Sequence, residues 1–414
     1  MWTFRMHQLA LASLAAFPFT TAAVAASTFI SPQRDFGFAL NIPDDASSSD
    51  LFFSMVFPVQ TSWVAVGLGA STMKTNPLVL MAYPSASGKN VTISPRRCYD
   101  HSEPIYDPDI DIQVLPGTGL LNDTALVFNG VCSNCRSWPG NGMIDIKSTA
   151  QIMAYGTGPV GNTRSDNPRE SVKVHWSYGS FTMDMVHATG DGGAPVIPAN
   201  VDVASDGVVQ QQAETGHVDT VPILHAVIMI LVFVGIWPFG VLVLRVGSSV
   251  RWHAITQGVA LGLVVIGSAL GFATSTSYTR SMKFNTAHQI IGIFVLVFAL
   301  AQFTLGYLHH RIYKRTQQTT KMAPIHVWLG RFVIPLGVAN GFTGFPLALS
   351  PVYNFALLGI VLFIFPTFLF ILLLKRIFQK WWQRNKKTDP NGYNMEPWHG
   401  GAQPEGQYQL APEA

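Results

Sequence analysis

The spacing of apolar residues divides the chain into two halves. From about Ser27 to Gly190, apolar and polar residues alternate in short runs that Gly, Pro and Asn separate, which is typical of β-strands. The runs read "LFFSMVFPV", "SWVAVGLG", "PLVLMAYP", "NVTISP", "DIQVLP", "TALVFNG", "IDIKS", "QIMAYGTG" and "VKVHWSYGSFTMDM". Because no helical period of comparable length lies between them, the pattern predicts an all-β, immunoglobulin-like antiparallel sandwich.

The second half contains five apolar segments, each close to the ~20 residues that a helix needs to cross about 30 Å of hydrocarbon. They cover roughly residues 221–245, 252–274, 285–308, 326–349 and 352–374, and we call them spans one to five. They predict an all-α transmembrane domain over residues 220–376. Residues 191–219 lack aromatic residues and strong periodicity, which is typical of a flexible linker.

The composition is that of an exported membrane protein. Only 12% of the 414 residues are charged and 48% are apolar, which is lean in charge for a soluble protein. Residues 1–26 combine an early Arg with an apolar run that ends in small residues, the pattern of a signal peptide. The exported domain is then residues 27–190, and its sequons at Asn90 and Asn122 predict N-glycosylation.

The distribution of basic residues predicts the orientation in the membrane. Lys and Arg are concentrated after spans one, three and five and are scarcer after spans two and four. By the positive-inside rule the first group of segments is cytosolic. The N-terminal domain is then extracellular or lumenal, and the polar tail, residues 377–414, is cytosolic. The formal net charge of +3 is too small to indicate nucleic-acid binding.

The cysteines indicate a structural disulfide. Cys132 and Cys135 form a C-x-x-C motif in an oxidising compartment, and no second Cys pair or His-x-His cluster is present to complete a zinc site. A local disulfide is therefore the favoured interpretation. Cys98 is left as a free thiol to which we assign no role.

Histidines recur near the N-terminal ends of spans one to four: His225, His253, His288 and His326. One alone would be explained by hydrogen bonds at the interface, but ionisable groups within spans are usually functional. Spans one and three run inward, so His225 and His288 lie near the outer face, and His253 and His326 near the inner face. Each pair can bind one iron axially, as in six-coordinate haem b, with the irons roughly 15–20 Å apart.

Other membrane sites fit the spans less well. An ion transporter or a proton relay would need acidic groups or cysteines near the midplane, and the spans contain none. His309 and His310, at the cytosolic end of span three, are interpreted as interfacial anchors. The alternative is that one of them replaces a named ligand.

The motifs "LHAVIM", "RWHAITQG", "NTAHQIIG" and "IHVWLGR" resemble the cytochrome b561 / ferric reductase transmembrane family. This resemblance implies a four-helix core, the same pairing of the four histidines, and two b haems. Five basic residues lie on the cytosolic side, and positive-inside charge explains them first: Arg251, Lys314, Arg315, Lys321 and Arg331. The resemblance implies that Arg251, Lys321 and Arg331 bind haem propionates or an anionic reductant such as ascorbate.

The motifs "WVAVGLGASTMKTNPLVLMAY", "CSNCRSW" and "VHWSYGSFTMDM" resemble a DOMON domain, in particular the haem-binding cytochrome domain of cellobiose dehydrogenase. The resemblance implies one further b haem with Met73 and His175 as axial ligands. Four other residues stay open, the methionines as core residues and the histidines as competing ligands: Met55, Met81, His101 and His187.

These expectations describe a transmembrane oxidoreductase. A cytosolic reductant would pass electrons through haem b to an outside acceptor, such as ferric chelates, quinones or a redox enzyme. The chain lacks a dinucleotide-binding fingerprint, because "GTGPVG" has no following helix. The alternative is a membrane-anchored surface protein whose DOMON domain binds carbohydrate without redox activity. The oligomeric state is left open.

Overall fold

The alternating half of the chain folds into two β-sheets. The computed structural model describes residues 26–45, 47–161, 163–198 and 203–387. In chain order the strands are β1 Ser27–Ile30, β2 Gly37–Pro43, β3 Leu51–Pro58, β4 Val64–Leu68, β5 Leu78–Pro84, β6 Val91–Arg97, β7 Ile105–Tyr106, β8 Ile112–Val114, β9 Gly119–Leu121, β10 Ala125–Cys132, β11 Ser137–Trp138, β12 Gly142–Met143, β13 Gln151–Thr157, β14 Ser177–Met183, β15 Thr189–Gly190 and β16 Val208–Thr215.

The two sheets have different strand orders. The first runs β1-β2-β3-β10-β8, with β15 beside β2 and β9 beside β10. The second runs β16-β14-β13-β4-β5-β6-β7, and β11 and β12 form a separate hairpin. Neighbouring strands are antiparallel except for β15 and β2, which are parallel. The predicted class, an all-β sandwich followed by a helical bundle, is confirmed.

The second sheet buries both of its faces at β4 and β5. Leu78 and Leu80 join the main apolar core of the β domain, while the alternate residues Val79 and Met81 belong to a separate apolar cluster. We call this the outer-face cluster; its members are Trp63, Ala65, Val79, Met81, Tyr83, Cys98 and Val172. Such double-sided burial explains why β5 reads as a continuous apolar run in the sequence.

Two cysteines are cross-linked and one is free. Cys132, at the end of β10, is joined to Cys135 by a disulfide. Cys98 is a free, buried thiol, and its Sγ lies 3.0 Å from the Asp100 carbonyl oxygen. Burial raises the pKa of this thiol to about 11. Cys98 is therefore protonated at neutral pH and unreactive as a nucleophile.

Some local predictions differ from the structure. The run "IDIKS" forms no strand, and the predicted strand that begins at Val172 starts only at Ser177. The expected flexible linker contains β16, which pairs with β14 with one bulge at Gln211. Strand β16 is polar and exposed, so its order comes from main-chain pairing at a sheet edge, which leaves no apolar signature in the sequence.

The apolar half of the chain forms five helices that are long enough to cross a membrane. They are span one Thr220–Gly247, span two Val250–Ser277, span three Ala287–Thr316, span four Met322–Leu347 and span five Tyr353–Lys387. Span five thus continues beyond its predicted end near residue 374 and into the predicted tail. Residues 1–25 of the predicted signal peptide, and the tail from residue 388, lie outside the described residues.

Span one contains a π-helical turn at Leu231–Ile236. This turn lies between His225 and Gly240, the residue of span one whose carbonyl accepts a hydrogen bond from His253, and the two are 15 residues apart. In each of spans two, three and four, the histidine and the residue whose carbonyl accepts from a histidine of the neighbouring span are 14 residues apart. Because an i→i+5 turn holds one residue more than an α-helical turn, it absorbs the extra residue.

Hydrogen exchange tests whether residues 208–215 are a strand rather than a linker. We expect their amides to exchange at least roughly 30-fold more slowly than in an unstructured chain, since opening the ladder to β14 should cost about 2 kcal/mol. Peptide-level exchange measured by mass spectrometry gives the rates. Residues 191–196, which belong to the same predicted linker but form no strand, are the control. Equal, complete exchange of both segments within seconds would contradict the strand.

Candidate haem sites

Each of the four span histidines is anchored to a main-chain carbonyl of the neighbouring helix. The distances from Nδ1 to the carbonyl oxygen are 2.7 Å for His225 and Gly267, 2.9 Å for His253 and Gly240, 3.0 Å for His288 and Asn340, and 2.9 Å for His326 and Gln302. A carbonyl can only accept, so Nδ1 carries the proton and donates. Each Nε2 is then the ring nitrogen with a lone pair available for a metal.

The anchors are reciprocal within two helical hairpins. Spans one and two form the first hairpin, in which His225 binds span two and His253 binds span one. Spans three and four form the second, in which His288 binds span four and His326 binds span three. The two histidines of each hairpin lie at different heights along the helices, and we call these heights the two levels. In span two, His253 and the Gly267 carbonyl that binds His225 are 14 residues apart, so the levels lie about 21 Å apart along the helix axis.

His225 and His288 face each other across the two hairpins. Their ring centroids are 6.0 Å apart, and the ring planes are nearly perpendicular at 86°. Two imidazoles bound on opposite sides of one metal, each through a bond of about 2 Å, have centroids roughly 6 Å apart. The separation therefore fits two imidazoles that would hold one iron between them.

His253 and His326 both lie at the opposite level of the bundle. The two rings lie within electrostatic range of each other. The amide nitrogen of Gln302 is 3.5 Å from Nε2 of His326, and Oε1 of Gln302 is buried with no hydrogen-bond partner among the described residues. The main chain of Gln302 thus anchors His326, and its amide lies close to the nitrogen that would bind iron.

Glycines make room for three of the rings. An added Cβ would lie 2.9 Å from the His225 ring at Gly271, 2.8 Å from the His288 ring at Gly344, and 2.7 Å from the His326 ring at Gly306. Each glycine follows the anchoring carbonyl residue by four positions. A helical carbonyl points toward residue i+4, and these three rings pass over that residue. A Cβ at any of the three positions would meet the ring, whereas the residue four positions after Gly240, which anchors His253, is Leu244.

The basic candidates and the extra histidines lie toward the His253 and His326 level. The side chains of Arg251 and Lys321 are exposed at the starts of spans two and four. Arg331 is also exposed, and its guanidinium stacks over the Trp328 ring at 4.8 Å. His309 Nδ1 lies 2.9 Å from the Thr320 hydroxyl, so it binds the following loop rather than another span. His310, its neighbour in span three, takes part in none of the anchors described above.

In the β domain, Met73 and His175 both border the outer-face cluster. Met73 begins the 3₁₀ turn between β4 and β5 and packs against the cluster. His175 lies close to Trp63. The position that a Cβ at Gly156 would occupy is 3.5 Å from the Trp63 ring and 3.6 Å from the His175 Cβ. The cluster therefore offers one apolar surface with a thioether and an imidazole at its border.

His175 has an unused polar atom and a neutral ring. Its Nδ1 is buried and has no hydrogen-bond partner among the described residues. Burial, and then the neighbouring His217, lower the pKa of the His175 imidazole to about 4. At neutral pH the ring is uncharged, which is the form that binds a metal. A buried nitrogen without a hydrogen-bond partner fits a role as a metal ligand.

The competing residues occupy different places. Met55 lies in the main core of the β domain, whereas Met81 is inside the outer-face cluster with 1% exposure. His187 contacts Ser27 and Asp206 at distances of 3.2 and 3.8 Å. His101 lies within electrostatic range of His175. His217, which the sequence interpretation missed, has its ring centroid 4.9 Å from that of His175.

Both predicted glycosylation sites are exposed. Asn90 lies directly before β6, and Asn122 lies between β9 and β10.

The sequence interpretation also missed the three glycines beside the histidine rings. A signal was present, since Gly271, Gly306 and Gly344 each follow a span histidine by 18 residues.

Two family models match the chain. The model for the cytochrome domain of cellobiose dehydrogenase matches residues 18–191, and that for eukaryotic cytochrome b561 matches residues 224–350. A similar solved structure is the cytochrome b domain of pyranose dehydrogenase from Coprinopsis cinerea, with 18% identity and a TM-score of 0.35 over 40% of this chain and 84% of that chain.

Another is the cytochrome domain of Myriococcum thermophilum cellobiose dehydrogenase, with 19% identity and a TM-score of 0.33 over 39% of this chain and 84% of that chain. No curated protein matches the chain.

The glycine beside His225 provides a test of the site. We expect Gly271→Ala to lower haem affinity at the His225 and His288 site by roughly 10- to 100-fold, as changes around metal ligands commonly do. Gly262→Ala in the same span is the control, because an added Cβ there meets nothing within 4 Å. Both changes raise helix propensity equally. Haem per chain after purification is the measurement, and equal haem content in both variants would contradict the assigned geometry.

Proposed function

Because the chain joins a region of the cellobiose dehydrogenase cytochrome family to a region of the cytochrome b561 family, we propose that it passes electrons from a cytosolic reductant to an acceptor outside. The observation that carries the proposal is the set of four anchored imidazoles, two of them 6.0 Å apart across the hairpins. Each leaves its Nε2 free of the anchoring bond. Among the described residues these four rings are anchored by main-chain carbonyls and not by carboxylates, an arrangement that suits a redox cofactor better than hydrolysis.

His225 and His288 would hold one b haem, and His253 and His326 a second. In the β domain, Met73 and His175 would hold a third, against the outer-face cluster. Bound haem supplies reversible one-electron chemistry at iron, with no proton or bond change required. The protein's part is to hold the imidazoles in one tautomer and to keep the surroundings apolar.

The choice of ligands supports an outward direction. A thioether ligand favours ferrous iron and raises the reduction potential relative to two imidazoles. The Met73 and His175 site would therefore attract electrons from the membrane sites.

The orientation is part of the same proposal. Strand β16 ends at Thr215 and span one begins at Thr220, so the β domain adjoins the end of the bundle that carries His225 and His288. The opposite end carries most of the basic residues, which the positive-inside rule assigns to the cytosol. With the β domain outside, Asn90 and Asn122 are available to the glycosylation machinery.

Reductant would reach the cytosolic end. Arg251, Lys321 and Arg331 are the cations that we propose to attract an anionic donor such as ascorbate, or to hold haem propionates. Ferric chelates, quinones or a redox enzyme are the acceptor classes that suit the outer site.

A difference spectrum tests the cofactor assignment. We expect three b haems per chain in the purified protein, one for each pair of proposed ligands. His225→Ala should remove one haem from the membrane domain and spare the β-domain site. His175→Ala should do the reverse, and His310→Ala is the control that should keep all three. The measurement is reduced-minus-oxidised absorbance with haem quantified per chain.

Two haems would remove the β-domain site from the proposal. A protein without haem would overturn it and favour a carbohydrate-binding surface protein. Equal haem loss in both domains on changing His225 would contradict the ligand assignment.

A charge change tests the reductant end. We expect Arg331→Gln to raise the KM for ascorbate roughly two- to fivefold, the range expected when one exposed charge is lost. The rise should shrink at high salt, since exposed charges are screened. Lys380→Gln in the exposed end of span five is the control for loss of positive charge alone. An equal KM shift in both variants in steady-state reduction assays would show that Arg331 has no specific part.

A further inference from the structure

A buried carboxylate joins the β domain to the membrane domain. Only 2% of the Glu103 side chain is exposed. Its Oε1 accepts a hydrogen bond from the Val172 amide at 2.7 Å and lies 3.7 Å from Arg96, both in the β domain. Its Oε2 accepts from the amide and the hydroxyl of Thr279, at 2.9 and 2.7 Å, in the loop after span two.

Arg280 completes the contact from the membrane side. Its Nη1 donates to the Val172 carbonyl at 3.1 Å and lies 3.9 Å from Glu103 Oε2. Its Nε donates to the carbonyl of Leu347 at 2.7 Å, at the end of span four. Both main-chain polar groups of Val172 are thus bound within this network.

A second attachment lies on the other side of His175. Residues 216–219 connect β16 to span one, and the His217 amide donates to the Trp176 carbonyl at 3.1 Å. The rings of His217 and His175 are in contact, with centroids 4.9 Å apart. Asp219 accepts a hydrogen bond from the Tyr278 hydroxyl in the same loop as Arg280. Val172 and Trp176, which flank His175, are therefore both tied to the membrane end.

We propose that Glu103 is a buried clamp that docks the β domain onto the loop after span two and holds His175 over the outer end of the bundle. A buried carboxylate is stable only when its charge and hydrogen-bonding capacity are met, and Glu103 meets them only with partners from both domains. Undocking would leave Glu103 without Thr279 and Arg280. The docked arrangement is consequently one defined position and not a range of orientations.

The importance of the clamp for electron transfer rests on the proposed function. Arg280 is bound to Leu347, which follows Gly344 by three residues, and Gly344 makes room for His288. The clamp thus links the segment that carries His175 to the helix that anchors His288. In the docked arrangement, an electron would pass from the His225 and His288 site to the Met73 and His175 site without any movement of the β domain.

A disulfide trap tests docking without reference to haem. The hydroxyl oxygens of Ser171 and Thr279 are 3.0 Å apart across the interface. In the full-length protein, Thr279→Cys removes the hydroxyl bond to Glu103 but keeps the main-chain amide that donates to the same oxygen and leaves Arg280 in place. We therefore expect Ser171→Cys combined with Thr279→Cys still to dock and to form a disulfide under mild oxidation, detected by mass spectrometry of the linked peptides. Each single variant is the control. Failure of the double variant to cross-link, although it folds and reaches the membrane, would overturn the clamp.

Removing one partner from the membrane side tests the role of the charge. Arg280→Gln leaves Glu103 with Arg96 and so preserves the inside of the β domain. We expect this change to slow cross-linking of the double-cysteine protein roughly tenfold or more, because the docked population falls. Lys283→Gln, an exposed cation three residues further along the same loop, is the matched control and should cross-link at the parent rate. Equal rates in both variants would contradict the proposal.

Reduction kinetics separate this inference from the proposed function. With haem content unchanged, Arg280→Gln should slow reduction of the β-domain haem by reductant roughly in proportion to the loss of docking, while reduction of the membrane haems keeps its rate. Unchanged β-domain reduction despite lost cross-linking would overturn the positioning role. A protein that cross-links normally but contains no haem would refute the proposed function and leave the docking intact.

Discussion

The membrane domain depends on one interaction, the hydrogen bond from an imidazole Nδ1 to a main-chain carbonyl of the neighbouring helix. In apolar surroundings an unpaired ring N–H is costly, so the bond fixes both the tautomer and the ring orientation. The carbonyl has two lone pairs and can accept from the ring while it stays in its helical ladder. His225 and its three counterparts therefore gain a defined geometry without breaking the helices that carry them.

The exchange of anchors within hairpins explains how four spans form one unit. Each hairpin contributes one histidine to each level, so neither hairpin alone completes a pair. The π-helical turn at Leu231–Ile236 keeps this arrangement in span one despite its extra residue. Span five has no histidine. Its contact with span one includes Lys375, whose Nζ donates hydrogen bonds to the carbonyl oxygens of Arg245 and Val246. The fifth helix is thus an addition to the four-helix unit.

Much of this organisation could be predicted from the sequence, because it depends on local patterns. Alternation predicts the sandwich, span length predicts the helices, and the run directions predict that His225 meets His288. The anchoring carbonyls could not be predicted, since every helical residue has a carbonyl and only tertiary packing selects Gly267 or Asn340. Strand β16 was missed because its order comes from an edge ladder and not from burial. Glu103 was missed for a similar reason, since a single acidic residue in a loop has no pattern until its distant partners Thr279 and Arg280 are assembled around it.

The position of the proposed β-domain site is related to the way the second sheet is covered. Both faces of β4 and β5 are covered by buried apolar side chains, and the two candidate ligands lie beyond the strands. Met73 and His175 lie in a turn and a loop at the edge of the outer-face cluster. A loop has no ladder to fix it, and the segment before His175 is fixed instead by Glu103 and Arg280 through Val172. The contacts that dock the domain are therefore the same contacts that position the imidazole, so docking and the geometry of the site cannot vary independently.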